Sequence, residues 1–540
     1  MFDRIRASAT PRKMLALLTA LTTALGPSVS PAFAASQAPG KKMPIQHIVV
    51  IFNENVSFDH YFGTYPVALN PKGEPPFHAK ADTPTINGLS NALLNFNPNL
   101  NPANGAGATN PFRLDRSQAV TADQDHDYTA EQLGFDMGAM DLFPKSMGTA
   151  GPPPSGGGIV DTTGLTMGYF DGNTVTALWN YAQNFAMNDN SFSSTFGPSS
   201  PGVINLVSGQ TNGVVKTLNG TGGEVDGGDG SLTMIGDPDP LNDVCSNPSG
   251  GQAQMGGKNI GDLLTAAGVT WGSFMGGFNL NIKNSNGTTG CNRSSTGLAG
   301  TTNDYIPHHS FFNYYVSTGN PSHTRPKSIA EIGNNGPANH EYDTDDFFAA
   351  VKAGNFPAVN FIKAPGYQDG HAGYSDPIDE QHFLVKVINF LQEQKEWDST
   401  AVVILYDDSD GWYDHQMSPI VNQSTGPADA LTGPDACGTA ANSLPGIDAG
   451  NPHALGRCGY GPRQPFLVIS PWAKQNFVDH TVTDQTSVIR FIEDNWLGGQ
   501  RIGQGSFDGI ASSISQMFDF QHKQSDGRLF LDPNTGEPAR

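Results

Sequence analysis

The chain has 540 residues, of which 37% are hydrophobic and only 15% charged, with 64 Gly and 39 Pro. It is long enough for one large core or several, and its Gly and Pro share is below that of low-complexity chains, which excludes collagen, a coiled coil and general disorder. The formal charge of −22 argues against nucleic acid and anionic lipid as nonspecific partners.

At the start, Arg4, Arg6, Arg12 and Lys13 precede the apolar run Met14 to Leu25, and Ala32-Phe33-Ala34 follows. A basic start, a short apolar stretch and a small-x-small site predict a signal peptide over residues 1–34. The run is too short to cross a bilayer. Residues 35–540 are then expected to form one exported, soluble domain, periplasmic or extracellular, with no membrane span.

Gln46 to Phe52 (QHIVVIF) predicts a buried strand that ends in the polar cluster Asn53-Glu54-Asn55-Val56-Ser57-Phe58-Asp59-His60. Segments near Asn87–Asn110, Gly148–Gly158, Val214–Gly257 and Asn284–Thr302 are rich in Gly, Asn, Pro and Ser and read as loop excursions. Helical patterns cover Thr174 to Phe185, Asn259 to Ala267, Gln381 to Gln394 and Ser487 to Trp496. Two further apolar runs, Ala401 to Tyr406 and Pro465 to Ile469, predict strands. The alternation predicts an α/β fold whose mainly parallel central sheet carries helices on both faces, with ligands beyond the carboxyl ends of the strands.

The chemistry concentrates at those ends. Glu54 and Asn55 are hard oxygen donors suited to a divalent cation, although Asn and Ser also cap helices. The second run leads into Asp407-Asp408-Ser409-Asp410-Gly411-Trp412-Tyr413-Asp414-His415. Carboxylates so close repel unless protonated or bridged by a cation; the alternative is a solvated acidic loop. An EF-hand is rejected, because the required Gly and Glu positions hold Tyr413 and Pro419. In Gly197-Pro198-Ser199-Ser200-Pro201-Gly202 a hydroxyl precedes the apolar stretch Val203 to Val207. A serine at a helix start beside a metal is a candidate nucleophile, with the helix N–H groups expected to meet a phosphoryl oxygen. His126, His308, His309 and His371 are candidates to ligate metal, bind phosphate or protonate a leaving group. Cys245, Cys291, Cys437 and Cys458 predict disulfides in an exported chain, with 245–291 and 437–458 favoured because each would pin a Gly/Asn-rich excursion.

The block Glu54-Asn55-Val56-Ser57-Phe58-Asp59-His60-Tyr61-Phe62-Gly63 resembles the signature of the bacterial phosphoesterase family, which holds phosphatidylcholine-type phospholipases C and secreted acid phosphatases. The similarity extends through Phe196–Pro201, Asp304–Tyr315, His371–Pro377, Tyr406–His415, Arg463–Trp472 and Asp479–Trp496. The resemblance implies an alkaline-phosphatase-like α/β domain with Ser199 as nucleophile and a divalent metal ion on Glu54, Asn55, Asp407 and Asp408. It implies His371 and one of His308 or His309, preferably His309, at the phosphoryl or leaving group, and His126 beside them. Gly202-Val203 stand where the phospholipases show Asn-Arg, and 44 residues follow Trp496; both features resemble the acid phosphatase branch. The expectation is therefore a secreted, metal-dependent phosphoric ester hydrolase of acid phosphatase type, phospholipase C activity being the related capacity, acting on a small phosphoester or a phospholipid through a phosphoserine. A sulfatase-like hydrolase and a calcium-stabilised binding protein are the alternatives.

Overall fold

The computed structural model describes residues 43–148, 160–220, 223–438, 454–525 and 527–539. The predicted signal segment and most of the 148–158 excursion lie outside them. The centre is an eight-stranded sheet. Its strands are β1 (His47–Asn53), β2 (Ala186–Asn188), β3 (Trp271–Met275), β4 (Glu341–Asp343), β5 (Val359–Lys363), β6 (Thr400–Tyr406), β7 (Phe466–Ile469) and β8 (Phe477–Asp479). Their order is β4-β3-β5-β1-β6-β7-β2-β8. The first five are parallel, β7 is reversed, and β2 and β8 return to the first direction. The α/β class with a mainly parallel sheet is thus observed, with one antiparallel strand that the sequence pattern did not distinguish.

The three predicted strands fall within a residue or so of β1, β6 and β7. Residues Ile48 to Asn53 and the whole of β6 are buried, the continuous apolar pattern of strands covered on both faces. The principal helices are α1 (Phe58–Phe62), α2 (Tyr128–Phe135), α3 (Thr176–Asn184), α4 (Ser199–Ser208), α5 (Ile260–Ala267), α6 (Thr344–Lys352), α7 (Pro377–Gln392) and α8 (Thr486–Trp496). Helix α7 starts four residues earlier than its pattern indicates, because Asp376 caps the N–H groups of Ile378 and Asp379 and Pro377 occupies the first turn.

One expectation is corrected. The Val214–Gly257 region is not only loop: Asn212–Leu218, Glu224–Asp226, Leu232–Met234, Asp239–Pro240 and Gln252–Met255 form a separate five-stranded sheet. Its Gly- and Asp-rich turns break the period-two alternation that marks strands. The 284–302 region holds a hairpin, Ser294–Gly297 with Gly300–Asn303. Both favoured disulfides are formed, Cys245–Cys291 and Cys437–Cys458. No helix among the described residues is long and apolar enough to cross a membrane.

Candidate functional site

Register explains why distant charges meet. Asn53 of β1 pairs with Tyr406 of β6, and Ile51 pairs with Ile362 of β5. Glu54 and Asp407, the next residues along β1 and β6, therefore emerge side by side at the carboxyl edge of the sheet. Lys363, the last residue of β5 and level with Phe52, reaches them with its long side chain. The Asn55 N–H donates to Asp407 Oδ1 at 2.9 Å, and Asn55 holds a left-handed φ of 57°, a conformation asparagine tolerates better than most residues. The Lys363 ammonium donates to Glu54 Oε1 and lies 3.7 Å from Asp407 Oδ2.

Helix α4 brings in the hydroxyl. Ser199 opens the helix with Pro198 as its N-cap. Its Oγ donates to Glu54 Oε2 at 3.0 Å or Asp408 Oδ2 at 3.2 Å. All of these groups are buried. The expectation of free N–H groups at this helix start is corrected. The Ser200 N–H donates to Asp237 Oδ1 at 2.7 Å, position 201 is a proline, and the first turn is left with at most the Ser199 amide.

The histidines form a row beside the acids. His309 Nδ1 is 3.3 Å from Glu54 Oε1 and 3.7 Å from Asp369 Oδ2, and its buried Nε2 has no partner. The His309 and His371 rings are 6.4 Å apart, and those of His371 and His126 are 5.9 Å apart. His126 Nε2 stands 3.2 Å from Asn55 Nδ2 and 3.9 Å from Asp408 Oδ2. His308 adjoins His309 edge to face, but its own ring turns toward Asp239, at 3.7 Å. Asp123, His126, His371 and Asp410 also bring one donor atom each within 4.8 Å of one another.

Burial sets the electrostatics. It pushes the Glu54 carboxyl well up, Asp407 pushes it the same way, and Lys363 only partly offsets both. Burial also acts on Asp407, but Lys363, Glu54 and the N–H groups of Asn55 and Asp408 hold it below the usual carboxylate range. Burial and Asp407 likewise raise Asp408. Burial lowers His309, with His308, Lys363 and His371 adding to it. Burial also lowers His371. For His126 burial acts downward, but Asp408, Asp410 and Asp123 outweigh it and raise the ring well above its ordinary value.

These residues fit a divalent cation. Asn55 Oδ1 and Asp407 Oδ2 are buried without a hydrogen-bond partner, and they adjoin carboxylates that repel each other. Hard oxygens of this kind are the usual ligands of Ca, Mg and Mn. Three groups at the site escaped sequence reading: Lys363, Asp369 and Glu131. Lys363 had a weaker signal: the buried strand Val359-Asn360-Phe361-Ile362 ends in a charge, as the runs before Glu54 and Asp407 do, but Asn360 interrupts its apolar pattern.

The family model described as Phosphoesterase family matches residues 45–497. Phospholipase C B of Mycobacterium tuberculosis is 24% identical over 498 residues, covering 89% of this chain and 80% of that protein. Non-hemolytic phospholipase C of Pseudomonas aeruginosa is 26% identical over 487 residues, covering 88% of this chain and 58% of its own length. Among solved structures, murine ectonucleotide pyrophosphatase/phosphodiesterase 5 aligns with 64% of this chain and 95% of its own, at 12% identity and a TM-score of 0.31. A family match across most of the chain, together with relatives that are phospholipases C, identifies the chain as a phosphoric ester hydrolase that belongs to the Phosphoesterase family.

Proposed function

We propose that this protein is an exported, metal-dependent phosphomonoesterase of acid phosphatase type that works through a phosphoserine at Ser199. The observation that carries the reading is the placement of the Ser199 hydroxyl 3.0 Å from Glu54 Oε2 and 3.2 Å from Asp408 Oδ2, at the sheet edge where α/β folds bind ligands.

In this reading Glu54, Asn55, Asp407 and Asp408 hold the cation. When bound, it supplies charge neutralisation for the phosphoryl group and favours the serine alkoxide. The carboxylates that accept the Ser199 O–H aim the oxygen at phosphorus. As Ser199 Oγ bonds to phosphorus, its proton passes to the carboxylate that accepts it, Glu54 or Asp408, and the bond to the leaving oxygen breaks. Burial keeps His309 neutral in the free protein; in this reading it is protonated once the phosphate dianion lies beside it, and gives the leaving oxygen its proton. His126 and His371 flank the phosphoryl oxygens, and His308 packs against His309. Water then attacks the phosphoserine and gives a proton to His309, the Ser199 oxygen takes back its proton from the carboxylate as its bond to phosphorus breaks, and orthophosphate leaves. Positioning and charge are the main demands of phosphoryl transfer, and buried carboxylates with Lys363 and the histidines are suited to both.

The Gly202-Val203 departure from the phospholipase pattern supports the acid phosphatase branch. A second reading, cleavage of phospholipid, is favoured by the phospholipase C relatives. Export is supported by the signal-like residues 1–34 and the two disulfides. Hydrolysis of p-nitrophenyl phosphate and of phosphatidylcholine vesicles, each with and without chelator, tests the proposal. Chelator-sensitive cleavage of the monoester well above that of the vesicles is expected. Cleavage of vesicles alone would move the assignment to the phospholipases, and chelator-resistant turnover would remove the metal.

A further inference from the structure

Glu131 lies on helix α2, in none of the motifs that mark the site, and is fully buried. Its Oε2 accepts the backbone N–H of Gly197 at 2.9 Å, and its Oε1 accepts the hydroxyl of Ser409 at 2.7 Å. The Ser409 oxygen in turn accepts the Gly411 N–H at 3.1 Å. Gly197 stands two residues before Ser199, and Ser409 follows Asp408. One side chain thus ties the turn that presents the nucleophile to the turn that presents the acids.

The tie is costly to maintain. Burial pushes the Glu131 carboxyl up to about 8, and only the Gly197 and Ser409 donors and the charge of His126 oppose that. An apolar side chain would fill the volume without this penalty, so the gain must lie in the two bonds. Gly197 has a φ of 115°, a conformation that L side chains rarely adopt. Gly197 precedes the N-cap Pro198, so no carbonyl of helix α4 can take its N–H, and Glu131 accepts it.

We propose that Glu131 is a positioning residue: by bridging the Gly197 N–H and the Ser409 hydroxyl it sets the distance between Ser199 Oγ and the oxygens of Glu54 and Asp408. The proposal rests on the reading of Ser199 as nucleophile. Its consequence is kinetic. A misplacement of about 1 Å in an attacking atom costs on the order of 100-fold in rate, whereas a residue that only supports the fold changes how much protein is folded and leaves the turnover of each folded molecule alone.

The test is steady-state hydrolysis of p-nitrophenyl phosphate by Glu131→Met, Glu131→Gln, Ser409→Ala and Ser199→Ala, normalised to the folded fraction from thermal melting. Glu131→Met is expected to lower kcat about 10- to 100-fold with KM within about threefold of wild type. Glu131→Gln still accepts the Gly197 N–H and can donate to the Ser409 oxygen, so its kcat should recover to within about fivefold of wild type. A Met variant within about twofold of wild-type kcat, or a Gln variant no better than Met, overturns the proposal. Should the Met variant not fold, Ser409→Ala decides: a kcat loss of about threefold or more at unchanged KM supports the bridge, and an unchanged kcat overturns it. Full turnover by Ser199→Ala would sink the nucleophile reading itself. Loss of turnover there, beside wild-type kcat in Glu131→Met, sinks only the bridge.

Discussion

Gly202 rests directly on the backbone of Asp407: a Cβ at position 202 would stand 2.5 Å from the Asp407 carbonyl oxygen and 2.8 Å from its Cβ. Helix α4 can therefore approach the end of β6 only because this position has no side chain. The atoms it would strike belong to the main chain and Cβ of a buried strand end, so the helix has to move. Gly202→Ala is expected to cost about 1–3 kcal/mol of stability in urea unfolding. Because Ser199 lies one turn away on the same helix, kcat should fall by about tenfold or more beyond that loss. A stable variant with wild-type turnover would show that the close approach is not needed for catalysis.

Ser199→Ala removes one hydroxyl and leaves the helix intact. Turnover is expected to fall by about three orders of magnitude or more, with a melting temperature near that of wild type. Mass spectrometry after acid quench should find a phosphorylated peptide containing residue 199 in the wild-type protein during turnover and none in the variant.

Lys363 and Glu54 form an ion pair with both partners buried. Replacing the lysine by methionine leaves Glu54 and Asp407 without their ammonium, which costs about 3–5 kcal/mol when the partner stays charged and buried. A divalent cation held by the same carboxylates stabilises the folded form by mass action. Lys363→Met should therefore melt well below wild type in chelator and recover more than wild type does when Mn2+ is added. Equal responses of the two proteins would count against a cation on Glu54 and Asp407.

The pH dependence of stability should carry the signature of Glu380. Burial pushes this carboxyl up to about 7, while hydrogen bonds from Tyr406, Asn53 and Tyr61 pull the other way. A carboxyl raised in the folded state favours folding fully below its unfolded value near 4.5 and loses that contribution as pH rises toward 7. The change amounts to about 3 kcal/mol over that window. Glu380→Gln should flatten that part of the curve of unfolding free energy against pH. An unchanged slope would exclude Glu380 as its source.

Much of the frame was readable along the chain. The runs at 46–52, 401–406 and 465–469 are continuous β-branched or aromatic segments cut off by polar residues, and they appear as β1, β6 and β7. Strands of three residues such as Ala186–Asn188, Glu341–Asp343 and Phe477–Asp479 are too short to show a period. The reversal of β7 leaves no local mark, because an antiparallel and a parallel buried strand carry the same apolar pattern.

Sequence alone determined which residues could do the chemistry: acids placed straight after apolar strands, a serine at the head of an apolar helix, and cysteines paired across their own excursions. These are local properties, legible because strand ends and helix starts follow from short-range pattern. Tertiary structure decided which of them meet. The register of β5, β1 and β6 brings Lys363 beside Glu54 and Asp407, and a helix from another part of the chain supplies Glu131 as a tie between two turns. Such meetings depend on strand pairing and packing between segments hundreds of residues apart, interactions that no window along the sequence contains.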